Sequence, residues 1–258
     1  MNQKFKKLIY LVLIGIIVTS CVPQKKILYL QSQVEGDTTN VFPVDREQDY
    51  KVQPGDNLYV RIFSLEEKAA EFFNKEGSRS QGNYYNEAGI YLNSYSISDS
   101  GNIDFPLVGK IHVKDFTTEE VKKKIQEIIN EYLTGTTIIV KLVNFNITLL
   151  GEFKRPGKYQ VYQDHINIFE AVSMGGDLTD YANRGNVALI RQTEKGSVLH
   201  RLDLNDLFIL ESDFYLLQPN DIVYVQPLKG KQFTFAQFPY GLVFGAISTT
   251  LLLINYFK

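Results

Sequence analysis

The sequence predicts an α+β protein: two small strand-rich units in tandem, the second of β-grasp type, followed by a membrane-associated C-terminal helix. Three observations carry this. Short runs of period-two apolar residues recur in a chain rich in Tyr, Phe, Val and Ile, the residues of pleated sheets. One helix with its own N-terminal cap falls in each half, at Thr117 and at Asn167. A Pro-Gly-Asp or Pro-Asn-Asp turn precedes a strand twice, ending at Asp56 and at Asp221, with Pro setting φ and the Asp expected to bind the following backbone N–H.

Residues 1–20 read as a lipoprotein signal peptide. Lys4, Lys6 and Lys7 form a positive n-region. Leu8 to Val18 is an uncharged apolar run of signal-peptide length, shorter than the roughly 20 residues that span a bilayer. Thr19 and Ser20 then precede Cys21, and V-T-S-C has the form of a lipobox, with a thiol placed to carry a diacylglycerol. Cys21 is the sole cysteine, and a lone unmodified thiol would be out of place in an oxidising periplasm. The alternative is an N-terminal membrane anchor with an unrelated cysteine. Removing the signal takes three of the 27 basic residues and leaves about 24 against 29 acidic ones. With no basic run and no zinc-ligand spacing, a nucleic-acid surface is excluded. No cofactor is expected beyond a covalent lipid on Cys21.

Residues 21–48 lack a sustained period and read as a lipidated polar tether. The first unit covers 49–143. Its P-G-D turn leads into a strand whose Leu58, Val60 and Ile62 share one face. Ser64 to Asn93 is an insertion with one short helix, Leu65 to Phe73, and a Gly/Ser/Asn/Tyr-rich loop. Ser98 to Asn102 is a hairpin turn, and Pro106 and Gly109 break two short strands. Thr117 with Glu120 forms a capping box, with Phe116 and Val121 as a staple. Val121, Ile125, Ile128, Ile129 and Tyr132 mark the buried helix face, and Gly135 ends the segment. A strand closes the unit near Val143.

The second unit covers 144–227. Phe145, Ile147 and Leu149 alternate into a hairpin turned at Pro156-Gly157. Asn167 and Glu170 cap a helix that stops at Gly175-Gly176. Strands follow at Val187 to Arg191 and Leu199 to Leu204, and the P-N-D turn opens the last.

The tail, 228–258, has no charged residue from Gln232 to Phe257. A helix over about 239–257 would be on the order of 27 Å long, near the thickness of a hydrocarbon core. Tyr240, Leu242, Val243, Phe244, Ile247, Leu251, Leu252, Leu253 and Ile254 are its candidate membrane residues, with Tyr256 suited to an interface. A strand or helix packed on the soluble body is the alternative.

Catalytic signatures are missing. His112, His165 and His200 lie far apart, and there is no H-E-x-x-H or G-x-S-x-G. Gly175-Gly176-Asp177 follows a helix instead of opening one, which is the wrong context for a phosphate loop. Asp99, Asp104 and Glu152 are the carboxylates that a glycan hydrolase would need, but turn caps and solvated strand positions explain them more simply. The chain is not expected to be an enzyme.

Several segments, in order, resemble the outer-membrane polysaccharide export lipoproteins of the Wza type, in their Bacteroidetes form. Y-K-V-Q-P-G-D-N-L-Y-V-R-I and G-N-I-D-F-P-L-V-G-K-I-H-V followed by T-T-E-E-V resemble the export domain. G-E-F-K-R-P-G-K-Y, I-F-E-A-V-S-M-G-G-D-L-T-D-Y-A-N and L-L-Q-P-N-D-I-V-Y-V resemble an SLBB domain, a β-grasp module. The similarity runs from about Asp49 to Pro227.

The resemblance implies a ring-shaped homo-oligomer, octameric in the best-known members. It sits under the outer membrane, with its soluble domains in the periplasm. Capsular or exopolysaccharide would be the passenger, and an inner-membrane polysaccharide co-polymerase, often a tyrosine kinase, the partner. C-terminal helices of such proteins assemble across the outer membrane. A periplasmic SLBB adaptor that binds glycan or a separate barrel protein is the alternative. No glycan-contacting residue is nominated.

Overall fold

The computed structural model describes residues 23–31, 42, 50–75, 87–233 and 239–256. The signal peptide, Cys21 and most of the expected tether lie outside them. Residues 23–31 do not behave as a free tether: they include a 3-10 turn, Gln24–Lys26, and Gln31 bridges Asp206.

The first unit starts at the turn Gln53-Pro54-Gly55-Asp56. Gly55 holds φ +91°, a conformation an L side chain resists. The Asp56 carboxylate accepts from the Gln53 N–H at 2.8 Å. The second P-x-D turn repeats this chemistry, with Asn220 at φ +66° and Asp221 accepting from the Gln218 N–H at 2.7 Å. Both acids therefore close their turns backward, onto the first residue, and not onto a following N–H as the sequence suggested. In a four-residue turn the first N–H faces the last side chain.

Strand β1 (Asn57–Phe63) lies between β2 (Tyr95–Ser96) and β5 (Thr137–Leu142), antiparallel to both. Its alternate residues Leu58, Val60 and Ile62 are buried, each worth roughly 1.5–3 kcal/mol. The expected helix Leu65 to Phe73 shortens to α1 (Glu67–Glu71), and a second, α2 (Glu87–Asn93), forms where a loop was expected. Strands β3 (Asn102–Phe105) and β4 (Gly109–His112) make a hairpin around Leu107, whose φ is +63°.

Helix α3 (Thr118–Ile129) has its complete capping box. Thr117 Oγ1 accepts from the Glu120 N–H at 3.2 Å, and the Glu120 carboxylate accepts from the Thr117 N–H at 2.8 Å. Val121, Ile125 and Ile129 are buried. The helix ends at Ile129 instead of reaching Gly135, so Tyr132 falls outside it and is exposed, while Leu133 is buried. This unit has its own core, from Val52 to Val140.

The second unit is a five-stranded mixed sheet. Its strands are β6 (Asn146–Gly151), β7 (Gly157–Gln160), β9 (Ala182–Thr193), β10 (Gly196–Leu202) and β12 (Ile222–Pro227), in the order β10-β9-β12-β6-β7. β6 and β12 are parallel neighbours at the centre, and the other pairs are antiparallel. The β6–β7 connection runs from Glu152 to Pro156, longer than a turn at Pro156-Gly157. A separate pair, β8 (Ile166–Asn167) with β11 (Leu216–Leu217), flanks helix α4 (Ile168–Met174). Asn167 and Glu170 form a second capping box, and Gly176 leaves the helix at φ +72°. A second core runs from Phe145 to Val225, and Leu142 packs against both cores.

The tail forms α5 (Tyr240–Tyr256), close to the expected helix, but 17 residues extend only about 25 Å. Among the described residues no helix is long and apolar enough to cross a membrane. The expectation of a spanning helix is corrected to that of a shorter apolar one.

Candidate functional site

Three places gather the side chains that matter: the junction between the units, the N-terminal strap, and the exit toward α5. The junction is Val143 to Asn146. Asn144 Oδ1 accepts from the Asn57 N–H at 3.0 Å, and Nδ2 donates to the Gly55 carbonyl at 3.3 Å. Asn146 gives its carbonyl to the Asn220 N–H at 2.7 Å. The two P-x-D turns are thus tied to the same four residues. Tyr50 donates to the Asp56 carboxylate at 2.8 Å. Burial pushes the Asp56 carboxyl above its ordinary value, against the Gln53, Tyr50 and Asn144 hydrogen bonds that favour its ionised form. Two exposed ion pairs, Lys114–Glu194 at 2.5 Å and Lys141–Asp164 at 2.7 Å, also cross between the units. Exposed pairs of this kind contribute little stability.

The strap lies on the second unit. The Leu30 N–H donates to the Leu204 carbonyl at 3.2 Å, and the Gln31 N–H to that of Asn205 at 2.5 Å. Tyr29 donates to Asp177 Oδ1 at 2.6 Å, sets its ring edge-on to Phe169 at 5.9 Å, and sits under the Arg184 guanidinium at 4.9 Å. Burial, then the Asp177 bond, pushes the Tyr29 hydroxyl up to about 12. Arg184 is buried, with Nε and Nη1 lacking hydrogen-bond partners among the described residues. Burial alone would raise the Asp177 carboxyl, but the Tyr29 hydroxyl, the Leu178 N–H and the nearby Lys154 and Arg184 charges hold it below its ordinary value.

The exit leaves beside the start of β9. Pro227 pairs with Ala182, and the Leu228 N–H donates to the Tyr181 carbonyl at 2.7 Å. Lys231 then binds Glu152 Oε1 at 2.5 Å, while Thr179 donates to Oε2 at 2.6 Å. Burial raises the Glu152 carboxyl, but these two bonds outweigh it and leave it below the usual range.

Beyond the exit, Tyr240 is half-buried and stacks on Phe244, with 6.3 Å between the ring centres. Leu242, Val243, Phe244, Ile247, Leu251, Leu252, Leu253 and Ile254 are all exposed. Thr249 and Thr250 donate to the carbonyls of Gly245 and Ala246 at 2.8 Å. Their hydroxyls are satisfied within the helix, so they present little polarity outward.

The remaining candidates do not converge. Asp99 and Asp104 are exposed at the β3 hairpin of the first unit, whereas Glu152 is buried in the second against Lys231 and Thr179. His112 faces Asn102 at 3.2 Å and His200 stacks on Phe214 at 3.8 Å, while His165 lies in the loop before β8. Among the described residues no group of three or more His, Cys, Asp or Glu could hold a metal ion. Gly175-Gly176-Asp177 is no phosphate loop: Asp177 is the anchor for Tyr29. Tyr29, Arg184 and Asn144 escaped sequence reading because none sits in a motif or a periodic face.

Residues 44–143, which enclose the first core, match the family described as polysaccharide biosynthesis/export protein. The chain is 26% identical over 171 residues to the exopolysaccharide production protein ExoF of Rhizobium meliloti (strain 1021), covering 60% of this chain and 37% of that one. It is 29% identical over 138 residues to the EPS I polysaccharide export outer membrane protein EpsA of Ralstonia solanacearum, covering 52% of this chain and 36% of that one. The chain thus matches little more than a third of the length of each relative.

Proposed function

We propose that this chain is an outer-membrane lipoprotein that assembles into an oligomeric channel through which capsular or exopolysaccharide leaves the cell. The observation that carries this is the export-domain match over residues 44–143, whose bounds enclose the first core from Val52 to Val140. The names of both relatives, one an exopolysaccharide production protein and one an outer-membrane export protein, point the same way.

The second unit supports reading it as an SLBB module. Its first and last strands, β6 and β12, are parallel neighbours at the centre of a sheet that packs on one helix, the β-grasp arrangement. Lipid on Cys21 supplies the membrane address. The exposed apolar α5 requires a cover, which lipid and neighbouring copies of the helix would provide. No bond is made or broken by the conduit; its inner-membrane partner, a polysaccharide co-polymerase, supplies the drive.

A second reading, a periplasmic adaptor that leaves the pore to a separate barrel protein, is favoured by one observation: α5 falls short of a bilayer's thickness. The test is a native mass or an electron-microscopy image of detergent-extracted, full-length protein. A closed ring supports the channel, and a monomer overturns it. Ending the chain at Pro239 separates the readings in cells: lost surface polysaccharide supports the channel, and normal export supports the adaptor. Cys21→Ala should leave the protein out of the outer-membrane fraction.

A further inference from the structure

Arg184 is only 4% exposed, and its Nε and Nη1 have no hydrogen-bond partner among the described residues. A buried donor left without an acceptor is costly, and a charged one more so. The Tyr29 ring, 4.9 Å from the guanidinium carbon, answers the charge but accepts from neither nitrogen. We propose that Arg184 is the floor of an oxyanion site for the carboxylate of an acidic sugar, and that Tyr29 is its displaceable lid. The proposal rests on the export reading above, which makes a glycan the ligand at hand.

The surrounding charge suits an anion. Lys154 Nζ stands 3.9 Å from Asp177 Oδ2. Arg155 runs along Gly176, with its Nε 3.0 Å from where a Cβ would sit. Arg184 is close enough to Asp177 to help hold its carboxyl ionised. Three cations thus gather about the Asp177 carboxylate. That carboxylate is already engaged: Oδ1 accepts from the Tyr29 hydroxyl at 2.6 Å and the Leu178 N–H at 2.7 Å, and Oδ2 faces Lys154.

The guanidinium fork selects the ligand. Nε and Nη1 lie on different edges of its plane, each edge shared with Nη2. One carboxylate spans a single edge, so the other needs a further oxygen. A uronic acid residue carries both, a carboxylate with a ring oxygen and hydroxyls within reach. A neutral hexose lacks the charge.

The lid is lightly held. No residue from Pro23 to Gln31 is fully buried. Beyond Tyr29 the strap is fixed chiefly by the Leu30 and Gln31 N–H groups on the Leu204 and Asn205 carbonyls. A ligand that supplies the missing acceptors can therefore replace the Tyr29 ring over Arg184.

The test uses full-length, detergent-extracted protein and an alginate tetrasaccharide, a chain of uronic acids. Maltotetraose is the neutral control and inorganic phosphate the bare oxyanion. Calorimetric titration should show the tetrasaccharide bound and maltotetraose not bound. Tyr29→Ala should bind the tetrasaccharide several-fold more tightly, and Arg184→Met about ten- to a hundredfold more weakly. Bound tetrasaccharide should speed amide exchange at Leu30 and leave Val187 in β9 unchanged. Equal affinity in Arg184→Met, or no binding by Tyr29→Ala, overturns the site. Unchanged exchange at Leu30 overturns the lid. Phosphate bound as tightly as the tetrasaccharide overturns the assignment to a sugar.

Stability separates a ligand residue from a structural one. Arg184→Met removes the orphaned donors, so its urea midpoint should be no lower than that of the unaltered protein. A lower midpoint marks Arg184 as structural and overturns the proposal. Deleting the whole chain in cells tests the export reading by itself: unchanged surface polysaccharide sinks that reading, whatever Arg184 binds.

Discussion

Arg191 grips Asp221 with both Nη2 and Nε, at 2.7 and 3.0 Å, and the carboxylate is wholly buried. The same carboxylate closes the turn before β12 through the Gln218 N–H, and Arg191 Nη2 also donates to the Leu216 carbonyl at 3.2 Å. One fork thus ties β9 to the turn and to β11. Arg191→Met leaves a buried carboxylate without its partner and should destabilise the second unit by about 3–5 kcal/mol. Arg191→Lys keeps the charge but not the fork and should fall between. Urea unfolding followed by far-ultraviolet circular dichroism measures both.

Asn144 serves the first unit from the boundary of the second. Asn144→Ala leaves the Asn57 N–H without its acceptor, and Asn57 is buried. The expected cost is about 1–3 kcal/mol. Because the residue holds the junction, limited proteolysis should also cut near Val143 sooner than in the unaltered protein. Equal cleavage rates would mean that Asn146 and the cross-unit ion pairs suffice.

Gly151 sits at φ +87°, and a Cβ there would lie 2.0 Å from the Val225 carbonyl oxygen. The obstacle is backbone of the central strand β12, which cannot step aside. Gly151→Ala should cost at least about 1–3 kcal/mol. Gly157→Ala, whose Cβ would meet only the Tyr159 ring at 3.8 Å, is the control and should change stability by less than about 0.5 kcal/mol. Thermal melting of the two variants side by side decides it.

Docking of the strap should hold across a broad pH plateau. Asp177 titrates below its ordinary value of 3.8, so its contribution is present above that value and lost as pH falls through the lower folded one. Tyr29 is raised from 10.0 to about 12, so its contribution is present below pH 10 and lost as pH rises toward 12. Tyrosinate absorbance and the rate of proteolysis within residues 23–31 should therefore rise together at the alkaline edge. Strap release already complete near neutral pH would contradict the geometry of the Tyr29–Asp177 bond.

Local chemistry was legible in the sequence. Thr117 with Glu120, and Asn167 with Glu170, announce their helices because a cap needs only residues three apart. Leu58, Val60 and Ile62, like Phe145, Ile147 and Leu149, announce buried strand faces because a pleat repeats every two residues. The P-x-D turns were found for the same reason, although the direction of their Asp bonds was not. The export motif was readable from the ordered segments between Asp49 and Val143.

What the tertiary structure decided is every partnership over long separation. Tyr29 finds Asp177 and Arg184, Lys231 finds Glu152, Arg191 finds Asp221, and Asn144 finds Asn57. None of these carries a local signature, because sheet pairing across the chain creates each neighbourhood only after the strands are in register. The strap shows the difference most clearly. As sequence it is a polar stretch without a period, and only the finished surface of the second unit gives Tyr29 something to hold.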